Sequence, residues 1–187
     1  MTALADRLIA ALTRRRGSGA VVAADEVAGA AVTLLGDWAI ERAVIADDPV
    51  LDRLGVADAL GAAGIEVLRW PTDRATEELL GLEGPTATCG ITVPVGAAAE
   101  RGTLALAAGP GQGRAIDAAS AYHLAILPEE RLVASLEDAL AAVYGSGRPP
   151  SAVSLVSAPS RTSDIEKIST LGAHGALGLH AMVVRAG

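Results

Sequence analysis

Ser160, Arg161 and Thr162 have the types and spacing that suit anion binding, because they stand at a predicted corner between a strand and a helix. An apolar run leads into them and predicts the strand. Ser163 to Glu166 has the S-x-x-E pattern of a capping box, which predicts a helix beginning at Ser163. Free N–H groups at a helix start and a forked guanidinium both suit a carboxylate or a phosphate. An ordinary helix start with a solvated arginine is the alternative interpretation.

Two further polar groups lie beside glycines. Glu100 precedes Gly102 in a predicted turn, and a carboxylate there could act as a nucleophile or base because the glycine lets a substrate approach. A surface glutamate in a turn is the alternative. Arg114 follows a G-x-G-x-G segment over 109–113 that is not a dinucleotide fingerprint, so a plain flexible loop is favoured. Arg114 remains a candidate for pairing with a substrate anion.

Among the three histidines, His174 is the candidate for acid–base chemistry, since Gly172 and Gly175 flank it and could orient its ring. His123 and His180 lie in predicted strands and are interpreted as core histidines. No pair has the H-x-x-x-H spacing of a zinc site, so no metal is expected.

Composition narrows the class of protein. The 187 residues carry a formal net charge of −7, which does not suit an extended nucleic-acid footprint. The single cysteine, Cys89, rules out a disulfide within the chain and cannot by itself hold an iron–sulfur cluster; its apolar surroundings predict a buried side chain. Neither a signal-peptide layout nor an uncharged run of about 18 apolar residues is found, so a cytoplasmic protein without a membrane span is expected.

These candidate groups must be positioned by a mixed α/β fold. Helical periodicity predicts helices over 3–16 and 25–35, and short apolar runs then alternate with helical segments, which indicates a three-layer, mainly parallel sheet. We expect a helical extension over 1–36 and an α/β domain over 37–187. Strands are predicted at 43–46, 65–70, 87–93, 104–107, 121–127, 152–156 and 179–184, and helices at 50–63, 75–80 and 135–143. Ligands in open α/β sheets bind beyond the carboxyl ends of strands, so the loops after 87–93, 104–107 and 152–156 are predicted to form one shared site.

Five motifs follow one another in an informative order. They are G-I-T-V-P-V-G-A-A-A-E-R-G-T-L (90–104), G-x-G-R (111–114), A-Y-H-L-A-I-L (121–127), S-A-P-S-R-T-S-D-I-E (157–166) and L-G-A-H-G (171–175). In this order they resemble the LUD domain family, and within it the lactate utilisation protein C (LutC/YkgG-like) branch. The resemblance implies a fold similar to the sugar-phosphate isomerase and CoA-transferase superfamily (NagB/RpiA-like).

The resemblance also implies a role in oxidising L-lactate to pyruvate in bacteria, together with a cysteine-rich partner and an iron–sulfur partner that hold the redox clusters. Glu100 resembles the catalytic Glu-x-Gly of CoA transferases, so a free-standing isomerase or acyl-transferase is a second hypothesis, and a non-catalytic interaction module is a third. A homo-oligomer is left open. The candidate site comprises Glu100 and His174 as catalytic groups and Arg114, Ser160, Arg161, Thr162 and Asp164 as groups that bind a small anionic ligand.

Overall fold

The fold was analysed in a computed structural model, which describes residues 3–71, 88–145, 149–163, 169–171 and 175–185. The helix predicted over 75–80, together with Asp164 and His174, lies outside these described residues.

The amino-terminal part contains two helices and a strand. Helix α1 (Ala3–Thr13) buries Ala5, Leu8 and Leu12 at helical spacing, and α2 (Val27–Asp37) buries a second apolar stripe. Between them lies β1 (Ser18–Ala23), which was not predicted because its serine and glycine resemble a loop. The stretch expected to be a helical extension, 1–36, thus contains the start of α2 and all of α1 and also supplies a strand to the main sheet.

Six parallel strands form the main sheet of the described chain, which confirms the predicted fold class. The strands are β1, β2 (Arg42–Ile45), β3 (Glu66–Arg69), β4 (Thr88–Thr92), β7 (Tyr122–Pro128) and β12 (Gly178–Arg185), in the order β1-β12-β7-β4-β2-β3. Every neighbouring pair in this sheet is parallel. Between β2 and β3 lie α3 (Pro49–Arg53) and α4 (Val56–Ala62), which are interrupted at Gly55 as predicted.

A second, four-stranded sheet is built from the segments that flank β7 in the chain, between β4 and β12. It consists of β5 (Gly96–Ala98), β6 (Thr103–Ala108), β8 (Leu132–Val133) and β9 (Ala152–Val156), in the order β8-β5-β6-β9. The short helix α5 (Ala115–Ala118) and helix α6 (Leu136–Tyr144) lie in the same segments. Strand β9 pairs antiparallel with β6, a direction that the sequence does not reveal.

Three layers bury the core. Helices α2, α3 and α4 cover one face of the main sheet, while α1 and the second sheet cover the other face. Helix α6 packs on the outer side of the second sheet through Ala139 and Val143. Alternate residues along β7 and β12 therefore face two different apolar clusters, as expected for central parallel strands.

The helix predicted to begin at Ser163 would run through residues 164–168, which lie outside the described residues. Residues Arg161–Ser163 form β10, which pairs antiparallel with β11 (Ser169–Leu171), so Ser163 lies opposite Ser169. Serine and threonine stabilise turns and strand pairs as well as helix starts, so an S-x-x-E pattern alone does not separate these structures. Thr162 lies opposite Thr170 at the centre of the β10–β11 strand pair.

Candidate functional site at the switch point of the parallel sheet

The main sheet has a topological switch point between β2 and β4. The chain leaves β2 for the outer strand β3, whereas it leaves β4 in the opposite direction, toward β7. Connections that diverge in this way leave a crevice beyond the carboxyl ends of the two strands, and ligands of open α/β sheets bind there. A ligand-binding site is therefore expected at the carboxyl ends of β2 and β4.

The loop over 109–113 is fastened to both strand ends. The Asp47 N–H, just after β2, donates to the Gly111 carbonyl at 2.8 Å, and the Val93 N–H, just after β4, donates to Gln112 Oε1 at 3.0 Å. Gly109 and Gln112 also exchange backbone hydrogen bonds, which close the turn. The sequence favoured a plain flexible loop, but the structure anchors this loop at two points over the switch crevice.

Two glycines allow the loop over 109–113 to lie this close to its neighbours. A Cβ at Gly111 would lie 2.4 Å from the Asp47 carbonyl oxygen, and a Cβ at Gly113 would lie 2.2 Å from the Trp70 ring. Neither distance is compatible with a real side chain, so the glycine spacing serves close approach to backbone and to an aromatic ring. Trp70, at the end of β3, thereby forms one wall of the site.

Arg114 follows this loop directly and is the N-cap residue of α5. Its side chain is exposed and has no hydrogen-bond or ion-pair partner among the described residues. Arg69, the last residue of β3, is engaged: its Nη1 lies 2.8 Å from Asp52 Oδ1 and 4.0 Å from Asp47 Oδ1. Among the described residues, Arg114 is thus a cation next to this loop that is available to a carboxylate or phosphate.

A cleft of about 480 Å³ lies on the outer side of the same loop. Small apolar and proline residues line it, among them Ala107, Pro110 and Pro150, with Ser151 at its end. The described lining contributes no charged side chain, so this cleft suits the apolar body of a ligand better than its charged group.

A buried histidine lies below the crevice. His123 Nε2 lies 2.8 Å from the hydroxyl of Thr92, the last residue of β4, while His123 Nδ1 is buried with no partner among the described residues. Burial lowers the pKa of His123 from 6.5 to about 4, so the ring is neutral at pH 7. The prediction of a core histidine is confirmed, but only one of its two ring nitrogens is hydrogen-bonded.

Cys89 occupies the interior as the sequence predicted, whereas His180, also predicted to be a core residue, is only partly buried. His180 Nδ1 lies 2.8 Å from Ser18 Oγ, and partial burial lowers the pKa of this histidine. Cys89 is fully buried in β4, and burial raises the pKa of its thiol to about 12. A thiol in this state is protonated at neutral pH and is a poor nucleophile.

Glu100 does not lie with Arg114. It occupies the turn before β6, whereas the loop over 109–113 follows β6, so the two positions are separated by the length of a six-residue strand, roughly 17 Å at 3.3 Å per residue. Glu100 Oε1 accepts a hydrogen bond from the Leu136 N–H, the first of α6, at 3.2 Å and lies 3.6 Å from Arg101 Nε. These contacts favour a helix-capping role.

Ser160 also lies away from the loop over 109–113, because β9 runs antiparallel to β6. Val156, the last residue of β9, is opposite Leu104 at the start of β6, and Ser157 Oγ lies 2.8 Å from Thr103 Oγ1. The Ser160 N–H donates to the Ala176 carbonyl at 2.7 Å, just before β12. Among the described residues, the loops after β4 and β6 come together, whereas the described start of the third loop lies at the opposite end of β6 from the loop over 109–113.

The other predicted groups are placed only in part. Arg161 and Thr162 are located as backbone in β10, and Asp164 and His174 lie outside the described residues. Sequence reasoning missed Asp47, Trp70 and Gln112. Asp47 could have been found, since an aspartate directly after a buried strand lies at a carboxyl end; Trp70 and Gln112 had no comparable signal.

Comparison with known proteins places the whole fold in one family. The profile of the LUD domain matches residues 5–184. The chain belongs to the LUD domain family. A crystal structure of a DUF162 family protein from Deinococcus radiodurans superposes on this LUD-domain protein with a TM-score of 0.69 and 22% identity, covering 97% of this chain and 96% of that one. This likeness confirms the fold.

Named relatives are similar over part of their length. Lactate utilization protein C of Halalkalibacterium halodurans is 30% identical over 155 residues, which cover 81% of this LUD-domain protein and 66% of the relative. Lactate utilization protein C of Shouchella clausii is 37% identical over 94 residues, or 49% and 41% of the two chains. The uncharacterized protein YkgG of Escherichia coli is 29% identical over 154 residues, or 80% and 65%. The match thus spans between 41% and 66% of these three relatives.

Two general properties of the described chain bear on this LUD-domain protein. None of its described helices combines the length and the apolar run that crossing a bilayer requires. Within the same ranges, no three histidine, cysteine or carboxylate side chains gather closely enough to hold a metal ion.

Proposed function

We propose that this LUD-domain protein is a component of a bacterial L-lactate utilisation system and binds a small anion at the switch point. The relatives named lactate utilization protein C support the first part of the proposal. The anion would be a carboxylate or phosphate held by Arg114 and by the loop over 109–113.

The observation that carries the proposal is the double anchoring of that loop. Hydrogen bonds from Asp47 and Val93 hold the loop over the ends of β2 and β4, so the position at which Arg114 follows it is set by the main sheet. A guanidinium with a fixed base and no internal partner can bind a carboxylate through two parallel hydrogen bonds. A contact of this kind contributes about 1.5–3 kcal/mol.

The electron-transfer part of lactate oxidation would belong to cysteine-rich and iron–sulfur partner proteins. This chain contributes one cysteine, Cys89, whose thiol is buried and protonated. A cluster normally takes four thiolates, so Cys89 does not supply such a site. In this proposal, the LUD-domain protein binds the anion and its partner proteins hold the redox centres.

Growth on L-lactate tests the proposal in a bacterium from which the gene has been deleted. The wild-type gene should restore growth on L-lactate as the sole carbon source, whereas Arg114→Gln should restore it poorly because the anion loses its guanidinium. Arg14→Gln, which removes an exposed arginine at the end of α1, is the matched control and should restore growth fully. Equal protein levels and equal melting temperatures must accompany the comparison.

Two results would contradict the proposal. Normal growth of the deletion strain on L-lactate would remove the protein from lactate utilisation. Full restoration by Arg114→Gln would leave the lactate role intact but remove Arg114 from the anion site. Purification of the tagged wild-type protein from cells grown on L-lactate should in addition recover iron–sulfur proteins with it.

A further inference from the structure

A second cleft lies at the carboxyl ends of β1, β12 and β7, beside α3. It has a volume of about 220 Å³, and Val50, Leu54 and Val184 contribute to its apolar lining. Val50 and Val184 are each only 7% exposed, so this part of the lining belongs to the packed core. Cores that open at the carboxyl edge of a parallel sheet are the usual location of ligand sites in such folds.

Charged side chains line the same cleft. Arg53, at the end of α3, and Arg185, at the end of β12, are both exposed, and neither has an ion-pair partner among the described residues. Glu130, in the turn after β7, also lines the cleft and has no ion-pair partner in the described part of the chain. The described lining of this cleft thus carries two cationic side chains and one carboxylate, on a protein whose formal net charge is −7.

We infer that this cleft binds a small 2-hydroxycarboxylate. The carboxylate of the ligand would accept hydrogen bonds from Arg53 and Arg185, its hydroxyl would donate to the Glu130 carboxylate, and its short carbon chain would rest against Val50 and Val184. The cleft volume of 220 Å³ is the volume that about seven water molecules occupy in liquid water, and a compact organic acid fits into it. Glu130 disfavours an anion that has no hydroxyl to donate, because the charge of such an anion would face this carboxylate without a hydrogen bond.

The choice of L-lactate as the probe rests on the proposed function, whereas the location of the site rests on the cleft alone. Because Arg53 and Arg185 are exposed, the affinity should be modest and should fall as salt is added. Each arginine should account for about a tenfold change in the dissociation constant, since a hydrogen bond to a charged group is worth one or more powers of ten in affinity.

Nuclear magnetic resonance of the valine methyl groups tests this site directly. Titration of the full chain with sodium L-lactate at low ionic strength should shift the Val184 and Val50 methyl signals in a saturable way. Propionate, which has the same carbon chain and carboxylate but lacks the hydroxyl, should bind several-fold more weakly than L-lactate. Glu130→Leu should narrow the difference between L-lactate and propionate, because leucine offers no acceptor to the hydroxyl of the ligand.

Variants separate this site from the one at the switch point. Arg53→Gln and Arg185→Gln should each weaken the L-lactate-dependent methyl shifts about tenfold, and Arg14→Gln should leave them unchanged. Absence of saturable shifts at Val50 and Val184, or equal affinity in all the arginine variants, would overturn the inference. Either result leaves the growth test of the proposed function standing, so the two failures are distinguishable.

Discussion

Lowering the pH should destabilise this protein through one buried side chain, His123. Burial lowers the pKa of His123 from 6.5 to about 4 in the folded protein, while the unfolded chain keeps the ordinary value. Between these values the unfolded chain takes up a proton that the folded protein does not. The stabilising contribution of neutral His123 is therefore complete above pH 6.5 and is lost as the pH falls toward 4.

The size of this effect follows from the two pKa values. The free energy of unfolding should fall by about 2.5 kcal/mol between pH 7.5 and pH 4.5 through His123 alone. His123→Gln removes the titrating ring but keeps a group that can hydrogen-bond to Thr92. The difference in unfolding free energy between wild type and His123→Gln should therefore shift by about 2.5 kcal/mol over this range. Titration of the carboxylates affects both proteins alike and cancels in this difference.

Urea unfolding followed by circular dichroism at several pH values measures this difference. His180→Gln is a matched control, since His180 lies in the neighbouring strand but is only half-buried and has its Nδ1 hydrogen-bonded to Ser18; its effect should be smaller. Parallel pH curves for wild type and His123→Gln would refute the reasoning. Titration of the His123 ring itself by nuclear magnetic resonance gives an independent measurement if the variant does not fold.

Three further predictions concern packing and capping. Cys89 should react with a disulfide reagent roughly a thousandfold more slowly in the native protein than in urea, because burial raises its thiol pKa to about 12; equal rates would contradict the buried placement. Gly90→Ala should cost about 3 kcal/mol of unfolding free energy, since its Cβ would collide with the Ile116 carbonyl, whereas Gly29→Ala, with open space in α2, should gain about 0.5–1 kcal/mol; similar melting temperatures for the two variants would disprove this. Glu100→Ala should lose about 0.5–1 kcal/mol because the Leu136 N–H loses its acceptor, while Glu100→Gln should lose less; equal losses would argue against capping.

Helices and strands with clear periodicity could be predicted from the sequence. The stripe of α1, the interruption at Gly55 and the central strand β7 follow from local patterns that the tertiary structure reinforces. The strands β5 and β8 were missed because two or three residues carry no periodicity, and β1 was missed because it starts with serine and glycine. In these elements, pairing with distant strands determines the conformation.

Prediction of the candidate site depended on knowing the direction in which each strand runs. The carboxyl-end rule correctly grouped the loops after β4 and β6, whose residues Val93 and Gln112 are hydrogen-bonded. It does not apply to β9, because the rule assumes parallel strands and β9 runs antiparallel to β6 in a separate sheet. Direction within a sheet is decided by contacts between remote segments, and no local pattern in 152–163 reports it.

The pairing of β1 with β12 has a consequence for how the chain folds. Ser18 and His180 occupy matching positions in the two strands although 162 residues separate them along the chain. Until β12 has been synthesised, the backbone edge of β1 has no neighbour in the main sheet and can pair with other nascent chains. Closing so large a loop is entropically slow, so refolding should be sluggish and prone to aggregation, and a chaperone that shields the first strand should raise the yield.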